Sequence, residues 1–374
     1  MSWTIGVLQD GDTAERRIPL TPDVAKKFQQ LGASIVLQRG ATAGAFLGEG
    51  DYADVKWVDG AAEVVAQSDC LLTVSPPPAE IIGQLKPGAV LLGLLQPYAS
   101  AERIQQLQAG QITAFPMELL PRISRAQSMD ILSSQAACAG YECVLIAAAK
   151  CPKFFPMLTY AAGTIRPARV LIIGAGVAGL QAIATAKRLG AMVEAYDVRP
   201  ETREQIESLG AKFVDTGVSA AGTGGYAREL TDDEKRQQAE KLAKAIAQCD
   251  VLITTAAVPG KRAPRIVTAD MVAGMKAGSL IVDMAAETGG NVEGCVAGAE
   301  TQIGRVLLIG PTHLPSRMPV HASEMFSKNL FNFISPMLKE GVLTLDWEDE
   351  VLAGACLTHA GEVRHAGVKQ VLGL

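Results

Sequence analysis

The stretch from residue 168 to residue 200 constrains this chain more than any other, because five features stand in it in a fixed order. Val170–Ile173 is a run of apolar residues, mostly β-branched. Gly174-Ala175-Gly176-Val177-Ala178-Gly179 follows with the spacing G-x-G-x-x-G. Leu180–Leu189 has the composition of a helix, Met192–Tyr196 is a second apolar run, and Asp197 stands at its end. Strand, glycine turn, helix and parallel strand make the βαβ unit that opens a dinucleotide-binding sheet. Gly174 makes the tight turn, Gly176 lets the backbone approach a pyrophosphate, and Gly179 lets the helix lie against the strand. Val177 and Ala178 begin the helix, where free N–H groups and the dipole favour negative charge. Asp197, 23 residues beyond Gly174, is placed to accept hydrogen bonds from the adenosine ribose. A carboxylate there favours NAD(H), since it repels a 2′-phosphate. Arg199 argues the other way, because a nearby arginine accommodates that phosphate. The other glycine clusters (Gly222, Gly224 and Gly225; Gly289 and Gly290) do not join a strand to a helix, so one such site is expected.

The 374 residues suit two domains, at roughly 100–200 residues each. Before the fingerprint, short apolar runs at Trp3–Leu8, Ser34–Leu37, Cys70–Val74, Val90–Leu95 and Ile112–Phe115 alternate with helical segments such as the one opened by Thr21-Pro22-Asp23. After it, strands are expected at 191–196, 211–214, 251–254, 279–282 and 306–309. The alternation predicts an α/β protein of two Rossmann-like, doubly wound parallel-sheet domains with an interdomain cleft. Residues 1–125 with 315–374 form the first, discontinuous domain, and 126–314 the second. A helix rich in small residues, from Asp130 through Ala149, bridges them. A second helix, from about Ala322 to Leu338, and a tail of short strands return to the first domain. Thr216–Tyr226, almost all Gly, Ala, Ser and Thr, is either a flexible linker or part of a lid over about 216–232.

Composition excludes several classes. The net charge is −5 and no basic patch occurs, so no nucleic-acid partner is expected. The seven cysteines include no C-x-x-C pair, which argues against disulfides and zinc; no metal is expected. No signal peptide opens the chain, and no unbroken apolar stretch approaches the ~20 residues of a membrane span. The expectation is a cytoplasmic chain without direct membrane insertion.

A dehydrogenase acting on an alcohol or amine must move a proton as well as a hydride. The four histidines, His313, His321, His359 and His365, all lie beyond the second α/β unit, and only His321 stands near the return crossing. Hydride exchange between two nicotinamides needs no acid or base at the ring, only alignment.

RISRAQSMDILSSQ (122–135), the fingerprint (168–191), GGYARE (224–229), TTAAVPGKRAP (254–264) and AAETGGN (285–291) together are similar to the NAD(H)-binding component of proton-translocating transhydrogenases. The resemblance runs from residue 1 to roughly 360. No membrane or NADP(H)-binding segment follows, so the chain resembles the split form, whose NAD(H) component is a separate subunit. The resemblance implies transfer of hydride from NADH to NADP+ held by a partner subunit. Proton flow would be coupled through a membrane-spanning partner, with this chain peripheral at the inner membrane. It implies that Gln127 contacts the nicotinamide and the neighbouring cofactor, and that Arg122, Asp130 and Ser133 orient the carboxamide and ribose. Val177 would cover the pyrophosphate, Asp197, Val198 and Arg199 would surround the adenosine, Ala256 and Ala257 would line the cofactor site, and Gly225 and Tyr226 would belong to the lid. Without the resemblance, Asp130 and Ser133 read equally as helix-surface residues.

Alanine dehydrogenase shares this architecture, with a lysine and a histidine in the first domain handling substrate. This chain has Ser75 and Gln96 at those places, although Arg16 or Arg17 remains available for a carboxylate. An alanine-dehydrogenase-like oxidoreductase and a non-catalytic NAD(H)-sensing module are the alternatives. A homodimer is expected, chiefly from the resemblance and partly because the 322–338 helix carries more apolar surface than one small domain needs. The same helix reads alternatively as an ordinary core helix.

Overall fold

Four strands in this chain are apolar enough to be covered on both faces, and such strands pair in parallel under helices. Cys70–Thr73, Val90–Gly93, Val251–Thr254 and Leu280–Asp283 are buried at every residue. The computed structural model describes residues 3–220, 228, 230–258 and 260–374. They fall into two units, Met1–Gln135 with Pro315–Leu374, and Ala136–Leu314.

In the first unit an eight-stranded sheet runs, edge to edge, Glu362–Val363, Thr358–His359, Thr113–Pro116, Val90–Gly93, Cys70–Thr73, Thr4–Val7, Ser34–Gln38 and Lys56–Val58. The last six are mutually parallel and wind outward in both directions from Thr4–Val7, the doubly wound order. The C-terminal hairpin adds two antiparallel strands through Thr358 opposite Ala114. The helix after Thr21 forms at Pro22–Gln30, with proline in its first turn, where the missing N–H is no loss. Thr21 holds the cap position without a side-chain cap bond.

The second unit repeats the plan. Its seven-stranded sheet runs Lys212–Phe213, Met192–Tyr196, Arg169–Ile173, Val251–Thr254, Leu280–Asp283, Val306–Ile309 and Glu300–Ile303. All pairings are parallel except the last. Arg169–Ile173 comes first in this sheet and has later strands on both sides, so the winding reverses beside it. Ligands bind in the crevice at the carboxyl ends of strands at such a switch point. Here that crevice is bounded by Gly174 and Thr255.

The chain passes between the units within the helix Ile131–Lys150, so the division falls inside this helix, at Gln135, and not ahead of it. By length and composition it is the one helix among the described residues apolar enough to cross a membrane. No such stretch is expected from the sequence, because its apolar character comes from many small side chains. Cys143, Val144 and Ala147 are buried in the core of the second unit, as in the core helix of a soluble protein. Gly140 lets it lie directly on the fingerprint helix: a Cβ there would fall 2.0 Å from the carbonyl oxygen of Ala178.

The return helix forms at Pro319–Ile334, earlier than expected. Ala322, Phe326, Leu330, Phe333 and Ile334 are all buried, the last four in the core of the first unit, with Phe115 and Phe333 ring centroids 5.3 Å apart. Its apolar face is used within its own unit, so it gives no argument for a second copy. Apolar surface is left exposed instead around the antiparallel hairpin Leu158–Tyr160 and Gly163–Ile165, where the sequence suggests no strand. Phe154, Met157, Tyr160, Ile165 and Met192 are exposed there.

Candidate functional site

The fingerprint folds as its spacing requires. Gly174 has φ +97, and a Cβ on it would meet Thr255 Oγ1 at 2.7 Å. A Cβ on Gly179 would fall 1.9 Å from the Gly174 carbonyl oxygen, so that glycine is fixed by helix–loop packing. Gly176 differs. It caps the helix Val177–Arg188, its φ of −76 is open to any residue, and the nearest atom to a Cβ would be Arg199 Nη2 at 4.0 Å. The protein itself does not require glycine there, so the requirement falls on whatever approaches the loop. Val177, the first helical residue, is 45% exposed although apolar, and Ala178 behind it is buried.

Asp197 is buried at the end of its strand. Its Oδ2 accepts the Ala175 N–H at 2.7 Å, and its Oδ1 accepts the Arg199 N–H at 2.9 Å. The Arg199 guanidinium closes a fork on the same carboxylate, Nε to Oδ1 at 2.9 Å and Nη2 to Oδ2 at 2.7 Å. Val198 is half-buried, and its carbonyl accepts the Ala220 N–H at 2.8 Å.

The far wall of the crevice is the loop after Val251–Thr254. Thr255 Oγ1 donates to the Gly174 carbonyl at 3.1 Å, tying the loop to the fingerprint. Asn291, wholly buried, accepts the Ala256 N–H at 3.0 Å and donates to the Ala256 carbonyl at 2.8 Å. Buried Asp283 accepts from Thr254 Oγ1, Ala285 N and Val292 N. These braces explain why TTAAVPG and AAETGGN belong together in space: the second segment holds the first. Ala257 stays exposed. Thr255, Asp283 and Asn291 carry no signal in the sequence, because their partners lie far along the chain.

Arg122, Gln127, Asp130 and Ser133 lie on the first unit. Ser124–Met129 is a short 3-10 segment leading into the long helix. Asp130 stands just before that helix and accepts the Ser133 N–H at 3.0 Å and the Ser133 hydroxyl at 2.5 Å, an N-cap arrangement. Both residues therefore have a structural task. Gln127 is exposed, and its side chain has no hydrogen-bond partner among the described residues; Arg122 is exposed as well. The return helix fixes the segment, since Asn329 and Asn332 donate to the Ser128 carbonyl at 2.8 and 2.9 Å. An Arg125–Asp349 ion pair fixes its other side and holds the Asp349 carboxyl down at about 2.

The two arginines left open by sequence are accounted for. Arg17 forks onto Glu15 (2.8 and 2.7 Å) and donates to Gln135 Oε1 at 2.8 Å, so its donors are committed internally. Arg16 stacks on exposed Phe46 at 5.0 Å. The Gln96 N–H donates to Glu118, whose carboxyl is raised by burial. His359 pairs with Thr113 and His365 caps the last helix, both lowered by burial, while His321 is exposed. No metal-ligating cluster occurs among the described residues. Gly225 and Tyr226 lie outside the described residues, with most of the expected lid.

With this geometry in place the comparisons are informative. Residues 6–139 match the alanine dehydrogenase/PNT N-terminal domain and residues 143–366 the alanine dehydrogenase/PNT C-terminal domain. The chain is 42% identical to the first of the separately encoded pieces of the NAD(P) transhydrogenase alpha subunit of Rhodospirillum rubrum, over 96% of this chain and 97% of that protein. Its fold matches the crystal structure of transhydrogenase from Sinorhizobium meliloti with a TM-score of 0.87 at 41% identity, covering 96% of this chain and 99% of that one. An L-alanine dehydrogenase structure matches at TM-score 0.81 and 24% identity, covering 99% of both chains, a likeness of fold.

Proposed function

This chain belongs to the alanine dehydrogenase/PNT family, alongside the NAD(P) transhydrogenase alpha subunits, and from that premise we propose that it binds NAD(H) in its second unit and passes hydride directly to NADP+ held by a partner subunit. The observation that carries the reading is the character of segment 122–135. It presents a guanidinium, a free amide, a carboxylate and a hydroxyl, is pinned by Asn329, Asn332 and Asp349, and contains neither histidine nor lysine. Such a set aligns reactants and moves no proton.

Transfer from one nicotinamide C4 to another balances without a proton: NADH becomes NAD+ and NADP+ becomes NADPH. Arg122 and the Asp130–Ser133 pair orient the nicotinamide carboxamide and ribose, and Gln127, unengaged within the chain, also reaches the second nucleotide. Gly174, Gly176, Val177, Ala178 and Gly179 receive the pyrophosphate. Asp197, Val198 and Arg199 receive the adenosine, and the braced Ala256–Ala257 loop forms the facing wall. Gly225 and Tyr226 close over the site. Proton flow belongs to a membrane-spanning partner, with this chain peripheral to the inner membrane on the cytoplasmic side. A homodimer completes the assembly, and the exposed apolar hairpin at 158–165 supports that state, since monomers rarely leave such clusters uncovered.

The alanine-dehydrogenase reading lacks a proton acceptor at Ser75 and Gln96 and a free carboxylate-binding Arg17. The test is a titration of the purified chain with NADH, followed by nucleotide fluorescence, with NAD+ plus L-alanine assayed in parallel. Saturable NADH binding without alanine oxidation is expected. Steady reduction of NAD+ by L-alanine overturns the proposal.

A further inference from the structure

The four acceptor positions of the Asp197 carboxylate are all filled by the chain's own donors: Ala175 N, Arg199 N, Arg199 Nε and Arg199 Nη2. The pair is largely withdrawn from water, at 18% side-chain exposure for Arg199 and 7% for Asp197. The same guanidinium lies 4.0 Å from where a Cβ of Gly176 would stand, so it sits over the one fingerprint glycine whose outer face the protein leaves open. A ribose that hydrogen-bonds Asp197 therefore has to displace a donor already in place.

We propose that Arg199 is a built-in competitor for the adenosine ribose, which must leave Asp197 for NAD(H) to bind and thereby sets both the affinity and the selectivity of the adenosine half; this rests on the NAD(H) reading above. The two backbone donors, Ala175 N and Arg199 N, are part of the loop and stay. The two guanidinium donors are on a side chain that can turn away. An unmodified ribose brings two hydroxyl donors, which replace Nε–H and Nη2–H one for one, so the buried carboxylate stays satisfied. A 2′-phosphorylated ribose brings one hydroxyl and a dianionic group with no donor for that carboxylate. The exchange is then short by one hydrogen bond and sets like charges together. Arg199, which from sequence counted toward NADP(H), in this geometry works for NAD(H) by making the exchange depend on a free diol.

The competition has a measurable cost. A site masked in about nine molecules in ten loses about tenfold in apparent affinity. Arg199→Met keeps the length of the stem and removes the fork, while the two backbone donors still orient Asp197. Isothermal titration of wild type, Arg199→Met and Arg199→Lys with NADH, ADP-ribose, NADPH and reduced nicotinamide mononucleotide tests this. Arg199→Met is expected to bind NADH and ADP-ribose about threefold to tenfold more tightly. Reduced nicotinamide mononucleotide, which has no adenosine, should be unchanged, NADPH should gain nothing, and Arg199→Lys should fall between. A purely structural role would move the mononucleotide as well. Unchanged or weaker NADH binding by the variant, or equal tightening of the mononucleotide, overturns the proposal alone. Failure of wild type to bind NADH and ADP-ribose overturns the functional reading and this proposal with it.

Discussion

Gly176→Ala and Gly179→Ala are the same chemical change three residues apart in one motif, yet they should fail in different ways. At Gly179 the new methyl carbon would lie 1.9 Å from the Gly174 carbonyl oxygen and 3.1 Å from Thr255 Oγ1. Neither backbone atom nor helix can yield without opening the switch point, and overpacking of this kind costs about 1–3 kcal/mol or more. For a unit of this size, 1 kcal/mol moves Tm by about 2–4 °C, so a loss of about 6–10 °C is expected. At Gly176 no protein atom lies nearer than 4.0 Å and φ is already negative. The only cost is the poorer helix cap of alanine relative to glycine, below about 1 kcal/mol. Tm should therefore fall by less than about 4 °C. The added methyl occupies the space the pyrophosphate needs, and NADH affinity should drop at least about tenfold, or 1.4 kcal/mol. Thermal unfolding by circular dichroism and NADH titration of the same samples read the two quantities. Equal Tm losses in the two variants, or unchanged NADH affinity in Gly176→Ala, would refute the assignment of that glycine to the ligand.

Gly140→Ala should destabilise, although alanine in a helix interior normally gains about 1 kcal/mol, because its Cβ would stand 2.0 Å from the Ala178 carbonyl oxygen; a raised Tm would contradict that packing. Gln127→Asn should slow hydride transfer far more than it weakens NADH binding, since it acts on alignment; equal losses measured by stopped flow and titration would make Gln127 a binding residue only. Burial raises the Glu15 carboxyl, but the Arg17 and Ser316 hydrogen bonds and the Arg17 charge outweigh it, so the folded value is lowered. Its stabilising contribution is present above the unfolded carboxylate value and is lost as pH falls through the folded one. The Tm difference between wild type and Glu15→Gln should therefore shrink from about pH 7 toward about pH 3, and a constant difference would contradict the linkage.

The second unit was legible in the sequence where chemistry and spacing coincide. Gly174, Gly179 and Asp197 stand where the motif puts them, and the parallel strands are visible as apolar runs because both of their faces are covered. The edge strand Lys56–Val58 and the hairpin at 158–165 are not, being short and partly or wholly exposed, without a clear period of two. The return helix is visible, but its apolar face looks excessive because Phe28 and Phe115, which cover it, lie some two to three hundred residues away in the chain. Distance along the chain also hides the clasp of Asn291 on Ala256 and of Asn329 on Ser128. Arg199 shows the sharpest limit. Its identity suggests an interaction with phosphate, whereas its geometry pairs it with the carboxylate two residues earlier. Asp130 and Ser133 have in the folded chain the capping role that their composition alone allows.

The central claim is that this chain aligns NADH for direct transfer to a nicotinamide it does not itself hold. The purified chain is mixed with an NADP(H)-binding partner subunit, and transfer from NADH to NADP+, or to a spectrally shifted analogue, is followed by absorbance. The account predicts transfer in the mixture, none with either component alone, and loss of rate in Gln127→Asn. NADH that binds tightly to the chain yet gives no transfer in the mixture would contradict it, and would leave a nucleotide-sensing module in its place.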